Sequence, residues 1–96
     1  MNISFDEKTK NALLNKIETN KSFRLMIKGF GWGGPTLGAV LDEQNEDDIS
    51  ENINGVKFIV NKDESYIFDD CKIVYKKTFF GETFNVISNS LPTGSC

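Results

Sequence analysis

The stretch Gly29-Phe30-Gly31-Trp32-Gly33-Gly34-Pro35 separates two runs in which apolar and polar side chains alternate. The apolar positions are Phe23, Leu25 and Ile27 in residues 22–28, and Leu37, Ala39 and Leu41 in residues 36–42. A period of two is typical of half-buried strands, so the sequence predicts two strands joined by a glycine-rich loop. Because glycine tolerates positive φ and close approach, we expect a ligand, a partner chain or another part of the fold to contact this loop. The predicted contact residues are Gly29, Gly31, Trp32, Gly33 and Gly34.

The composition is that of one ordinary globular domain. The 96 residues are 39% hydrophobic and 26% charged, with a net charge of −3 and a pI of about 4.8. An acidic chain does not favour a nucleic-acid partner. The sequence has no basic amphipathic helix, no signal-peptide core and no apolar run near the roughly 18 residues of a membrane span, so we expect a cytoplasmic protein without a membrane partner.

Histidine is absent from the sequence, and only two cysteines occur, Cys71 and Cys96. The lack of histidine excludes a Ser-His-Asp or Cys-His catalytic relay and a histidine-containing zinc site. Two cysteines are too few for a disulfide framework, and in a cytoplasm both would be reduced.

An N-terminal helix is predicted by a capping box. The Ser4 hydroxyl can bond the amide of Glu7, whose carboxylate can reach back. Apolar residues then recur at helical spacing through Glu18, and Asn20 is a plausible stop. The apolar positions are Phe5, Ala12, Leu13 and Ile17. We expect this helix to cover one face of the sheet.

The rest of the chain predicts strands. Asn54-Gly55 lies between two short apolar runs and fits a two-residue type I′ hairpin turn. A short helical turn should then direct Tyr66, Ile67 and Phe68 inward, and Cys71, Ile73 and Tyr75 should share a strand face. Residues 78–87 suggest one final bent strand. The sequence therefore predicts a mainly β fold with one N-terminal helix, with a domain at 1–88 and a flexible tail at 89–96.

Two motifs in the sequence resemble ligand sites but lack part of the required pattern. Counted from Asp42, an EF-hand calcium loop would need Gly at position 47 and Glu at position 53, where the chain has Asp47 and Ile53. Residues 42–48 are therefore predicted to form a solvated acidic turn. The glycines at 29, 31 and 34 match a dinucleotide fingerprint, but that site needs a following helix and a parallel crossover for which the chain has no room.

A thiolate site is a further hypothesis. Cys96, in the predicted mobile tail, should be free to reach a metal or a partner, whereas Cys71 sits in an apolar strand where cysteine is usually inert. Two thiols per chain would give four in a homodimer, the number that a [2Fe–2S] cluster takes. Cys96 could equally serve thiol redox chemistry.

The order of segments resembles the HesB-like, A-type iron–sulfur cluster carrier family over nearly the whole chain, residues 2–96. The similarity rests on the N-terminal helix, the strand Phe23-Arg24-Leu25-Met26-Ile27-Lys28, the glycine loop, the acidic turn, the hairpin Asn54-Gly55-Val56-Lys57-Phe58-Ile59-Val60, the Phe68-Asp69-Asp70 turn and residues 84–89. The resemblance implies a compact β-sandwich or pseudobarrel of short strands that forms a homodimer or homotetramer. It also implies a protein that is not an enzyme, that binds iron or a cluster between subunits, and that passes it to recipient or assembly proteins.

The chain departs from that family at the cluster ligands. Trp32 stands where the family has a loop cysteine, and Gly94-Ser95-Cys96 stands where it has Cys-Gly-Cys. Only Cys96 carries over as a metal ligand, so the resemblance implies a divergent member that does not hold a cluster alone. Some HesB-like proteins carry selenocysteine near the C-terminus, and a UGA codon after Cys96 would make this chain a truncated redox form. An interaction module that keeps only the fold is the third hypothesis.

Overall fold

The computed structural model describes residues 2–31 and 34–89, which form a single seven-stranded sheet with one helix. Strands lie in the order β1-β6-β7-β3-β2-β5-β4, and the sheet curves into a nearly closed barrel. The elements are β1 (Asn2–Ser4), α1 (Glu7–Lys16), β2 (Ser22–Gly31), β3 (Gly34–Asp42), β4 (Asp48–Ile53), β5 (Val56–Asn61), a 3₁₀ turn (Ser65–Phe68), β6 (Asp70–Thr78) and β7 (Gly81–Ser88). The predicted mainly β fold with one N-terminal helix is confirmed. Among the described residues, no helix is both long and apolar enough to cross a membrane.

The hairpin β2–β3 is longer than the sequence indicated. Both predicted strands exist, but they continue through the glycines, with Gly29 paired to Thr36, Phe30 to Pro35 and Gly31 to Gly34. The register shifts between Ile27 and Gly29, where the chain forms an irregularity of the β-bulge type. The prediction of a glycine-rich loop over residues 29–35 was therefore wrong. Glycine weakens a strand, but it can still form the backbone hydrogen bonds between paired strands.

The core lies on the inner face of the curved sheet, beneath α1. Phe23 and Leu25 on β2, and Leu37 and Ala39 on β3, are buried as their alternation predicted. The rings of Phe23 and Phe84 meet edge to face with centroids 5.6 Å apart, which joins the middle of the sheet to β7. The other fully buried large side chains include Leu13, Phe58, Phe68, Ile73 and Val60.

The N-terminal segment corrects the predicted cap. Ser4 belongs to β1, which pairs in parallel with β6, and the helix instead begins after Asp6, whose carboxylate accepts a 2.8 Å hydrogen bond from the Thr9 amide. Both residues are good N-cap types, so the choice is decided by the pairing of β1 with a strand far along the chain. The helix ends at Lys16, and Ile17 is 40% exposed.

The turns of the second half divide into confirmed and corrected predictions. Asn54 and Gly55 have φ of 52° and 87°, as a type I′ turn requires. The single bent strand over 78–87 was wrong: β6 ends at Thr78, Phe79 and Phe80 form the turn, and β7 begins at Gly81. The inward orientation predicted for Tyr66 was also wrong, since this side chain is 62% exposed, whereas Ile67 and Phe68 are buried as predicted.

Candidate functional site at the glycine hairpin

The end of the β2–β3 hairpin carries the residues that the sequence singled out, and we call Gly29–Gly31 with Gly34–Thr36 the glycine hairpin. Phe30, at its centre, is 82% exposed. Trp32 and Gly33 lie outside the described residues, so their predicted contacts stay predictions. This arm of the sheet carries its own hydrogen bonds between β2 and β3 but extends beyond the packed core.

The glycines at 29 and 31 leave space beside the backbone that nothing else in the described chain occupies. A Cβ atom built at either residue meets no atom within 4 Å, and neither residue has a positive φ. Gly38, farther along β3, differs because the Lys28 side chain lies where its Cβ would be. The open backbone at Gly29 and Gly31 is thus accessible to a group from outside the described chain, and their contact role stays a prediction.

The strand directions bring the end of β7 toward this same end of the sheet. β7 is antiparallel to β3, with Leu37 opposite Val86 and Gly38 opposite Asn85. The end of β7 therefore runs toward the end at which β3 begins, where the glycine hairpin lies. Asn89 is still held to the sheet by a 2.8 Å hydrogen bond from its amide to the Asp70 carbonyl. Cys96 lies outside the described residues, and the domain boundary at 88 stays a prediction.

Cys71 is not available as a metal ligand or a reactive thiol. It is 1% exposed in the core, on the strand face shared with Ile73, as predicted. Burial, with a smaller contribution from the Asp70 carboxylate, raises the pKa of its thiol to about 11. A buried neutral thiol neither binds iron nor attacks a disulfide readily. Among residues 2–31 and 34–89, no group of three or more Cys, Asp or Glu side chains could hold a metal ion.

The acidic turn contains an ion-pair network that the sequence did not reveal. The Arg24 guanidinium forms a two-bond fork with Asp48, with Nη1–Oδ1 and Nη2–Oδ2 distances of 2.8 and 2.6 Å, and its Nε lies 2.6 Å from Asp42 Oδ2. The Asp48 side chain is only 1% exposed, so a fully solvated acidic turn was wrong for this residue. The Arg24 hydrogen bonds lower the pKa of both carboxyl groups below their ordinary value. The Arg24 guanidinium uses its Nε, Nη1 and Nη2 atoms in these bonds and holds residues 43–47 across β2. We therefore interpret the network as structural.

Sequence comparison finds no relatives for this chain: no protein family model matches it, and no curated protein does. Structural comparison does. The structure of IscA with the [2Fe–2S] cluster superposes with a TM-score of 0.66 at 11% identity, covering 91% of this chain and 82% of IscA. Escherichia coli SufA, involved in biosynthesis of iron–sulfur clusters, gives 0.60 at 14% identity, covering 95% and 89%.

These similarities establish the fold. The chain has the fold of IscA and SufA, as the resemblance in the sequence implied. At 11% and 14% identity, the superpositions do not transfer ligands or activity to individual residues.

Proposed function

We propose that this protein acts in iron–sulfur cluster assembly, as a carrier or scaffold that takes iron or a [2Fe–2S] cluster as its cargo. The main support is the superposition of almost the whole chain on IscA, which was crystallised with a [2Fe–2S] cluster, and on SufA. A second support is that β7, up to Asn89, ends at the same end of the sheet as the glycine hairpin with its open backbone at Gly29 and Gly31.

The donor atoms limit how the cargo could be held. The described residues do not fit a cluster, since Cys71 is buried in the core and the Asp42 and Asp48 carboxylates are bound by Arg24. Thiolates are the ligands that iron–sulfur clusters take in proteins. We therefore propose that the Cys96 thiolates of a homo-oligomer supply the ligands. A homotetramer offers the four thiolates that a [2Fe–2S] cluster takes, a homodimer offers two, which suit a bound iron ion, and one copy alone does not retain a cluster. The role is carriage rather than catalysis.

Anaerobic reconstitution with iron and sulfide tests this proposal. The wild-type chain should take up both elements, and Cys96→Ser should lose that uptake. Cys71→Ala is the matched control, because it removes the other thiol from the core and should leave uptake unchanged. Gel filtration should place the cargo in a homo-oligomer. Absence of uptake by the wild-type chain, or retention by Cys96→Ser, would contradict the proposal.

A further inference from the structure

Two adjacent phenylalanines form the turn between β6 and β7, and we call Phe79 and Phe80 the aromatic tip. Their exposed fractions are 105% and 101%, the highest of the large apolar side chains in the described ranges. Single apolar residues on a surface are ordinary, but two neighbouring rings fully in water form an apolar projection, and such surfaces commonly mark a docking site. The next most exposed ring, that of Phe30, lies at the other end of the sheet.

The turn itself does not need these rings. The Phe80 amide donates a 3.2 Å hydrogen bond to the Thr78 hydroxyl, and Gly81 adopts the positive φ of 124°. Thr78 and Gly81 therefore hold the turn, whereas small polar residues or glycine are usual at the two central positions. The hairpin between β4 and β5 follows the usual preference, with Asn54 and Gly55 at the two central positions. Phenylalanine at 79 and 80 is thus not explained by folding.

The charges beside the aromatic tip are positive. Lys76 and Lys77 precede it on β6, and both are exposed. The acidic residue within 76–83, Glu82, is already engaged: its carboxylate lies 3.1 Å from Lys16 Nζ and accepts a hydrogen bond from Tyr75. Glu82 also lies opposite Lys77 in the β6–β7 register, so three lysines near the turn, Lys16, Lys76 and Lys77, share one carboxylate and leave a net positive charge behind the rings. Two apolar rings backed by a net positive charge are the combination that binds an anionic bilayer surface, where lysine stems extend along the apolar region and ammonium groups meet the headgroups.

A second copy of the chain is a poorer occupant. Each phenylalanine can bury about 150–250 Å², so two tips facing each other would bury only about 600–1,000 Å². Stable interfaces bury about 1,200–2,000 Å². Such a contact would also bring Lys76 and Lys77 of both copies together. The tip is convex, and a bilayer accepts a convex apolar projection without a preformed pocket.

We infer that the aromatic tip inserts into the interfacial region of an anionic lipid bilayer and tethers the protein to it peripherally. The expectation of no membrane partner rested on the absence of long apolar or basic helical segments, and a two-residue hairpin tip falls outside both patterns. The glycine hairpin lies about 25 Å away along the strands, counted from the β3–β7 register at about 3.3 Å per residue, so the tether leaves it open. The inference does not depend on the proposed cargo.

Flotation with lipid vesicles, using the protein without iron, tests the tether. The wild-type chain should bind vesicles made of equal parts phosphatidylcholine and phosphatidylglycerol, and bind weakly to phosphatidylcholine alone. Phe79→Ser with Phe80→Ser should reduce partitioning by about tenfold or more, since both rings lose their transfer from water. Lys76→Glu with Lys77→Glu should reduce it by about fivefold or more for each lysine and flatten the salt dependence. The matched controls are Tyr66→Ser and the pair Lys8→Glu with Lys72→Glu, which should retain binding.

Fluorescence gives a second readout that also fixes the orientation. In a Trp32→Phe background, Phe80→Trp should be quenched by lipids labelled on the acyl chain, whereas Phe30→Trp should not. Failure of the wild-type chain to float with anionic vesicles at low salt, or equal quenching at both positions, would overturn the inference. Failure of cluster reconstitution would instead count against the proposed function alone.

Discussion

Replacing Arg24 tests whether the ion-pair network holds the acidic turn. In Arg24→Ala, the Asp48 carboxylate loses its cationic partner, although its side chain is only 1% exposed. The hydrogen bond of 2.7 Å that it accepts from the Asn45 amide remains. Removing one member of a buried pair typically costs 3–5 kcal/mol. The lower end, about 3 kcal/mol, applies here because Asp42 is 49% exposed and water can replace its share. For a domain of this size, that loss lowers Tm by roughly 12–20 °C.

The stabilisation that Arg24 provides should depend on pH. Arg24 lowers the pKa of Asp42 and Asp48 in the folded state, so their stabilisation is present above the unfolded carboxyl pKa of about 3.9 and is lost as the pH falls through the folded values. In Arg24→Ala, burial opposes ionisation of Asp48. At acid pH the Asp48 carboxyl is protonated, so the free-energy cost of a buried, unpaired charge disappears. The destabilisation should therefore be largest near neutral pH and shrink below about pH 4.

Urea unfolding of wild type, Arg24→Ala, Asp48→Asn and the double variant measures these terms. The double variant should recover part of the loss because it no longer buries an unpaired charge, giving a coupling energy of about 1–3 kcal/mol. Lys62→Ala is the control, since its ion pair with Asp47 joins side chains that are 60% and 69% exposed, and it should cost under about 1 kcal/mol. A loss below about 1 kcal/mol for Arg24→Ala, or one that persists unchanged in acid, would refute the reasoning.

Three further predictions follow from single contacts. Gly55→Ala should lower the unfolding free energy by about 1–2 kcal/mol, since φ at this position is 87°; Asn54→Gly is the control and should cost less in the same denaturation assay. Asp6→Ala should cost about 1 kcal/mol through loss of its bond to the Thr9 amide, while Ser4→Ala, at the originally predicted cap, should leave helix capping intact by amide exchange. Iodoacetamide should alkylate Cys71 only after denaturation, because its thiol is 1% exposed and its pKa is about 11, and rapid labelling of the native chain at Cys71 by mass spectrometry would contradict the buried assignment.

Local patterns were sufficient where the structural cause is local. Alternation identified the inward faces of β2 and β3, and Asn54-Gly55 identified a hairpin, because side-chain period and turn geometry are properties of neighbouring residues. Segment order also led to the fold, which the superpositions on IscA and SufA confirm. Asp6 displaced Ser4 as the N-cap because β1 pairs with a strand 68 residues away, a contact that no local pattern encodes.

Long-range contacts explain the remaining corrections. Arg24 meets Asp48 across 24 residues, and in the sequence those residues are only an outward-facing arginine and one of several acids. The sequence did not predict the aromatic tip for a different reason. Phe79 and Phe80 have strong strand propensity, and only the pairing of Thr78 with Gly81 shows that they form a turn. The predicted strand over 78–87 included these two rings, whereas the structure places them in a turn exposed to water.

The two ends of the sheet then suggest a division of roles that fold similarity alone does not provide. The glycine hairpin offers open backbone and lies at the end of the sheet toward which β7 runs, while the thiol of Cys71 is buried in the core. At the opposite end, folding tolerates two exposed rings that it does not require. A protein that exchanges cargo at one end and is held at the other must keep the two ends independent. The paired strands β3, β7 and β6 separate the two ends by about 25 Å, so substitutions at the aromatic tip should leave cargo uptake unchanged.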